Sequence, residues 1–476
     1  MPVIHDHTVS GPHFEEMELS PLDQMYGSVY SCRILAFEGL PTDIQDTTSV
    51  LLKALQATVN DVPFLAGSAV AASDVGRTDN RISIVPGKAR LVVNDLTSTV
   101  SFAAMKAKGF PSSEFAWTTY LPLPQIAPPL PGTPRDVFMI QANLVDGGLF
   151  LAYSYHHIIA DGTSMTELTR LFASHCAVIS DGEDHATTPR TATKLNLNRA
   201  DIVQIPADVD PDACLQYYKD YSDLSTHLGS LKARTDMVNA QFHLSPASAA
   251  KLKAAASSSP ATKPNTTTTT TTWISTSDAL NALIWRAIVR ARLSASIIQP
   301  ADPFPYSNAV DFRSQLPSPL PLGWIGNAFI LISTTPIPAS EVVRPGPAGL
   351  AAAARAIRAS VQAVNAKLVG SLLHRARAAP DPMLFMPKAI VGMATTNVLC
   401  SSQRAYVHAD MAWGKRAFGT YEGIIAPSGS PVDGMVLIMP PLRDGGWEVT
   451  VSLTEGCMEV LRRDEEFGMY MKEVGL

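Results

Sequence analysis

The densest group of reactive side chains in this sequence is Tyr155-His156-His157-Ile158-Ile159-Ala160-Asp161-Gly162. It closes an alternating run, Leu149 to His157, in which successive side chains project to opposite faces of a strand. His157 falls with Leu149, Leu151, Tyr153 and Tyr155, and His156 with Phe150, Ala152 and Ser154, so only one imidazole can face a given cavity. An imidazole at a strand end, with an unperturbed pKa near ~6.5, suits removal of a proton from a hydroxyl or an amine at neutral pH. Asp161 stands beyond the turn, where its carboxylate would orient the histidine or pin the loop through an arginine. The plainer alternative makes both histidines satisfied core groups and Asp161 a turn residue ahead of a helix.

A second group, Ala409-Asp410-Met411-Ala412-Trp413-Gly414, is weaker by itself. An aspartate three residues before a tryptophan, in a turn ended by glycine, is more often structural than catalytic. The chain has no Gly-x-Ser-x-Gly elbow, P-loop, Gly-x-Gly-x-x-Gly or His-Glu-x-x-His, which lowers the standing of covalent serine and metal chemistry. Five cysteines, odd in number and never in a CxxC pair, read as reduced thiols, and no metal site is expected.

The elements that must position these groups follow from spacing. Val137 to Leu144 and Leu149 to His157 alternate on either side of Asp146-Gly147-Gly148, a hairpin signal. After the histidines, Ser164 and Glu167 have capping-box spacing, and Leu168, Leu171 and Phe172 form the apolar stripe of the helix they would open. Upstream, Leu19-Ser-Pro-Leu-Asp-Gln-Met25 reads as an entry turn into a strand carrying Tyr30, Ile34, Leu35 and Phe37, and Ser49 to Val59 has helical spacing. The proline-rich stretch Thr119 to Arg135 is a loop, and Ala254 to Thr272, with its threonine run, is a low-complexity surface loop. Trp273 to Thr276 is expected as a short strand before a helix from Ser277. One long helix is expected from about Ala348 to Ala379, and a strand through Trp447, Val449, Val451 and Leu453. Interleaved strands and helices point to an α/β or α+β protein with mixed sheets.

At 476 residues, two domains of roughly 200 residues each are expected. A 46% hydrophobic content supports two cores, while no stretch approaches the ~20 apolar residues of a membrane span. The N-terminal residues show neither the basic nor the apolar region of a secretory signal, so a cytoplasmic protein is expected. A net charge of −6 without a basic run leaves no footprint for nucleic acid.

Taken together, His156-His157-Ile-Ile-Ala-Asp161-Gly162 and Asp410-Met-Ala-Trp413-Gly414, about 250 residues apart, resemble the HHxxxDG and DFGWG signatures of the BAHD acyltransferase family. Val310-Asp311-Phe-Arg313 to Gly323-Trp-Ile-Gly326-Asn327 is similar to that family's arginine-bearing strand and Gly-Asn segment, and Thr276 to Ala287 to its second-domain helix. The resemblance runs from Leu19-Ser-Pro-Leu-Asp23 to the last strand and helix, and within the family it points to the fungal branch that includes trichothecene 3-O-acetyltransferases. Met411-Ala412 departs from the Phe-Gly of the second signature.

The resemblance implies two chloramphenicol acetyltransferase-like domains with a channel between them. The N-terminal domain would comprise residues 1–232, with about 405–430 packing onto it, and the C-terminal domain 233–404 plus 431–476. His157 would be the general base for direct attack of a small acceptor's hydroxyl or amine on an acyl-CoA thioester, acetyl-CoA above all. His156, Asp161, Gly162, Arg313, Asp410, Trp413 and Gly414 would be supporting groups, with Arg313 the partner of Asp161. No permanently bound cofactor is implied, and the protein is expected to be a monomer. The rival readings are a condensation-type enzyme fed by an acyl-carrier protein, and a cyclase or binding protein that keeps the scaffold without the transfer.

Overall fold

A computed structural model of the chain describes residues 3–26, 29–39, 44–123, 132–182, 194–203, 221–223, 236–257, 273–316, 318–321, 323–382, 385–387, 397–403, 410–427 and 432–475. The first part of the chain supplies β1 (Val3–Val9), α1 (Pro21–Gln24), β2 (Tyr30–Glu38), α2 (Ile44–Asp61), β3 (Ala89–Asp95), β4 (Phe138–Val145), β5 (Gly148–His156) and α3 (Gly162–Asp181). The second supplies β6 (Met237–Leu244), α4 (Pro246–Ala256), α5 (Thr276–Ser294), β7 (Tyr306–Asp311), β8 (Phe329–Ser333), α6 (Gly346–Gln362), α7 (Ala366–Ala378) and β9 (Val398–Ser402). It ends with β10 (Thr420–Ile425), β11 (Met435–Ile438), β12 (Trp447–Thr454), α8 (Glu455–Arg462) and β13 (Met471–Glu473).

Two mixed sheets organise these elements. A six-stranded sheet runs β1-β3-β4-β5-β2-β10, with β3 and β4 parallel and the other pairs antiparallel. A seven-stranded sheet runs β8-β7-β9-β11-β12-β6-β13, with β9 parallel to both β7 and β11. The late strand β10 returns to the first sheet by pairing with β2.

β5 lies inside the first sheet and every residue of it is buried. Its alternation sorts Leu149, Leu151, Tyr153 and Tyr155 into the core beneath α2 and α3, and Phe150 and Ala152 into the aromatic cluster of Phe102 and Phe115 on the other face. The hairpin ahead of β5 turns at Gly147 with φ 81°, and at Gly148 a Cβ would lie 2.2 Å from the Phe102 ring. Both positions therefore require glycine, one for conformation and one for space. In α3, Met165, Leu168, Phe172 and Cys176 form the buried stripe, and burial of a side chain such as Leu168 or Phe172 is worth about 1.5–3 kcal/mol.

Several expected boundaries move. Leu19 to Met25 holds a short helix, α1, rather than a turn, opened by a capping box between Ser20 and Asp23 with Pro21 in its first turn. The expected strand Trp273 to Thr276 does not form, because Ser275 and Asp278 make a capping box that starts α5 at Thr276. The helix expected over Ala348 to Ala379 is two, α6 and α7, separated where Asn365 caps the second through the Leu368 N–H at 3.1 Å. The low-complexity loop begins later than Ala254, since α4 runs to Ala256, and residues 258–272 lie outside the described residues. In the proline-rich stretch Thr119 and Tyr120 end a short helix, Arg135 begins a two-residue strand, and 124–131 lie outside the described residues.

Candidate active site

The strand carrying both histidines ends one residue earlier than alternation alone places it. His156 is the last residue of β5, and His157 opens a 3-10 turn, His157–Ile159. The backbone turn carries the His157 ring off the core face expected for it, and its ring neighbours are Tyr26, at 5.1 Å between centroids, and Phe329, at 5.7 Å. His156 is fully buried, its ring edge-on to Tyr30 at 4.8 Å and its Nδ1 accepting the Ile158 N–H at 3.4 Å. Burial, with Arg135 nearby, pushes the His156 imidazole down to about 3, so it stays neutral.

His157 is partly exposed at the junction of the two sheets. Burial holds its pKa below the usual histidine value, with Arg33 adding in the same direction, while a hydrogen bond to its own backbone carbonyl, the Asp161 charge and Asn327 oppose. Arg33 is itself buried and donates to Gln403 and to the carbonyl of Cys32. The imidazole is thus unprotonated at neutral pH, the state a proton acceptor needs.

The proton that the neutral ring does carry is placed by Asn327. Its Nδ2 donates to Asp23 Oδ1 at 2.8 Å and to the His157 carbonyl at 2.9 Å. With the amide nitrogen committed to two acceptors, the oxygen Oδ1 faces His157 Nδ1 at 3.1 Å, and an amide oxygen only accepts. Nδ1 therefore holds the proton, and Nε2 keeps its lone pair.

Asp161, not Ser164, is the N-cap of α3: its Oδ1 accepts the Ser164 N–H at 3.0 Å. The Ser164–Glu167 capping box does not form, because Ser164 Oγ is turned to Gly326, accepting its N–H at 3.0 Å and donating to its carbonyl at 2.9 Å. Asp161 also accepts the Ala328 N–H at 2.8 Å and two bonds of 2.9 Å from Arg313, which stands in the turn just after β7. Burial alone would raise this carboxyl, but the Arg313 charge and the converging donors outweigh it and hold it below the usual carboxylate range. Gly162 is the first residue of α3, its carbonyl accepting from Thr166 Oγ1 at 2.9 Å. Gly326, at φ 154°, leaves no room for a side chain: a Cβ would lie 2.3 Å from the Trp324 ring.

The second group lies along α3 rather than at His157. Asp410 is exposed and accepts from Arg170 at 3.2 Å, about two helical turns beyond Gly162. Trp413 is buried in the core beneath the first sheet, 5.2 Å from the Phe37 ring and 6.1 Å from Phe172. Gly414, at φ 89°, packs so closely that a Cβ would be 2.6 Å from Ser180 Cβ.

Three groups that hold the imidazole directly or through one another had no role assigned from the sequence: Asn327 and Asp23, which lie in segments that carry the family resemblance, and Arg199. Asp23 is completely buried and Arg199 donates to it at 3.1 Å. The signal that was present is the Ser20–Asp23 spacing with Pro21 between, which marks a helix start and so a fixed, inward carboxylate. Among the described residues no group of acidic, histidine or cysteine side chains could hold a metal ion, and no helix is long and apolar enough to cross a membrane.

These features define a two-sheet α/β protein with one neutral, oriented imidazole at the seam between its sheets. The sequence profile of the Transferase family matches residues 9–468. The chain belongs to this family, the BAHD acyltransferases. It is 28% identical over 474 residues to the enoyl-CoA isomerase/hydratase claC of Penicillium crustosum, an alignment covering 98% of this chain and 52% of that protein, so the chain spans about half of that relative's length. It is 24% identical to the trichothecene 3-O-acetyltransferase TRI101 of Fusarium sporotrichioides, over 91% of each chain. The crystal structure of F. graminearum TRI101 complexed with coenzyme A and T-2 mycotoxin superposes with a TM-score of 0.79 at 23% identity, covering 97% of this chain and all of that one, a likeness of fold.

Proposed function

We propose that this chain transfers an acyl group, acetyl by preference, from a coenzyme A thioester to a hydroxyl of a small secondary metabolite, with an amine as the other acceptor its chemistry admits. The observation that carries the reading is the Asn327–His157 bond, which leaves Nε2 of a neutral, partly exposed imidazole as the open proton acceptor at the seam. Family membership supplies the reaction class, and the TRI101 complexes supply the precedent of coenzyme A and a small acceptor bound together on this fold.

In the proposed step the acceptor's O–H gives its proton to His157 Nε2 while its oxygen attacks the thioester carbonyl. The tetrahedral intermediate then collapses, the C–S bond breaks, and the imidazolium returns its proton to the departing thiolate. Products are the ester and free coenzyme A, with no acyl-enzyme. Asp161 and Arg313 fix the turn on which His157 sits, and Asp410, Trp413 and Gly414 brace the helix beyond it. The donor and the acceptor enter a channel between an N-terminal domain, 1–232 with about 405–430, and a C-terminal domain of 233–404 plus 431–476. The protein works as a cytoplasmic monomer without a permanently bound cofactor.

The test is incubation of the purified chain with isotopically labelled acetyl-CoA and metabolite extracts, followed by mass spectrometry. A labelled ester, formed with release of free thiol, is expected; thiol release with no acceptor, or label passed only from an acyl-carrier protein, would replace this reading.

A further inference from the structure

The carboxylate of Asp23 is bonded on every side. Its Oδ1 accepts the backbone N–H of Asn327 at 2.9 Å and the Asn327 side-chain Nδ2 at 2.8 Å. Its Oδ2 accepts the Ser20 N–H at 2.9 Å and the Arg199 Nη1 at 3.1 Å. Arg199 reaches on with Nη2 to the carbonyl of Ile159 at 2.6 Å, inside the turn that His157 opens. Asp23 therefore grips both the amide that faces the imidazole and the loop that carries it, from α1, well over a hundred residues away in sequence.

We infer that Asp23 is a positioning residue for proton transfer, holding the Asn327 amide so that His157 is protonated on Nδ1 and open on Nε2. The inference rests on the proposed role of His157 as proton acceptor. All the acceptor positions of Asp23 meet donors, so a neutral amide in its place must set an NH₂ against either the Asn327 donors or the Ser20 and Arg199 donors. Facing Asn327, that conflict is relieved by rotation of the Asn327 amide, which turns its NH₂ toward His157 Nδ1. Nδ1 would then accept, the ring proton would move to Nε2, and the atom needed to take the acceptor's proton would already be occupied. A wrong tautomer in otherwise intact geometry is a known way to lose an enzyme's rate without losing its fold.

The tautomer is read directly by NMR on protein labelled with 15N-histidine, with the His157 signals assigned from a His157→Gln variant. The parent protein is expected to show His157 with the proton on Nδ1, and Asp23→Asn to shift it toward Nε2. The variant's kcat should fall by about 10–100-fold, the scale on which groups that orient a functional imidazole act, with KM for acetyl-CoA little changed. Asp23→Ser, which removes the charge and fits the space, takes the place of Asp23→Asn if that variant does not fold. A parent His157 protonated on Nε2 overturns the inference outright. So does an Asp23 variant that melts at lower temperature yet keeps the parent kcat and tautomer, since its role would then be structural alone. Because the tautomer is measured without substrate, a parent with the Nδ1 proton but no acyl transfer would sink the proposed reaction and leave the positioning of the ring standing.

Discussion

Asp161 and Arg313 meet through two parallel hydrogen bonds of 2.9 Å, joining the N-cap of α3 to the turn after β7 and so one sheet to the other. The same carboxylate takes the Ser164 and Ala328 N–H groups, so it has no lone pair to spare for the imidazole and acts on His157 through the fold and through its charge.

Asp161→Asn is therefore expected to act on stability first. The substitution leaves the Arg313 guanidinium, only 13% exposed, facing a neutral amide, with Asp311 Oδ2 at 2.7 Å as its remaining carboxylate, so the cost should fall below the about 3–5 kcal/mol of a buried charge left wholly unpaired. Thermal melting should fall together with soluble yield. A variant that melts like the parent but has lost its rate would assign Asp161 to the chemical step instead.

The two histidines should separate cleanly by substitution. His157→Ala removes the proton acceptor and should lower kcat by roughly 10²–10⁴-fold at near-normal stability, since that ring is partly exposed. His156→Ala opens a hole beside Tyr30 in a fully buried position and should instead lower the melting temperature, with the folded fraction turning over close to normally. Steady-state rates normalised to folded protein, measured by circular dichroism, decide it; a silent His157→Ala would end the proposed mechanism.

Much of the frame around this site was legible. Alternation in 149–156 assigned each side chain to the correct face, and Asp146-Gly147 marked the hairpin, because both are local consequences of a two-residue period and a tight turn. What alternation could not show is where the strand stops. His157 leaves the pleat because its N–H bonds to Val29 and its ring is drawn among Tyr26, Asn327 and Phe329, residues that come from distant parts of the chain. The choice of Asp161 over Ser164 as the cap is likewise tertiary: Arg313 and Ala328 fix the carboxylate, and Gly326 takes the hydroxyl. The break at Asn365 is a different case, since a local capping signal was there and the alanine-rich composition on both sides hid it.

The second sequence group should divide by residue. Asp410→Ala breaks one exposed ion pair with Arg170, an interaction worth about 0–1 kcal/mol, and should scarcely change melting. Trp413→Phe keeps an aromatic ring against Phe37 and removes an indole N–H that has no hydrogen-bond partner among the described residues, so it too should be mild. Gly414→Ala should be severe, because it forces a side chain into a left-handed backbone and against Ser180. Denaturant midpoints of the three variants test this order, and an Asp410→Ala loss as large as that of Gly414→Ala would mean the carboxylate does more than bind Arg170.

Acid should weaken the fold in a window set by His156. Its imidazole titrates at about 3 in the folded protein, because burial opposes the charge, and near ~6.5 once unfolded. The unfolded chain therefore binds the proton first, so stability is fully present above pH ~6.5 and falls as the pH drops from there toward the folded value. At pH 5 the gap amounts to about 2 kcal/mol from this residue, and His157, shifted the same way by burial, adds to it. Activity should fade later than stability alone would suggest for an ordinary histidine, since His157 stays unprotonated below ~6.5 and the acid limb of kcat/KM should lie under that value. Calorimetry at pH 7.5 and pH 5.0 on the parent and on His156→Phe checks the first part: the variant should lose the larger share of the pH-dependent drop in melting temperature. An equal drop in both proteins would show that His156 takes up no proton on unfolding and that its burial is not what makes the fold acid-sensitive.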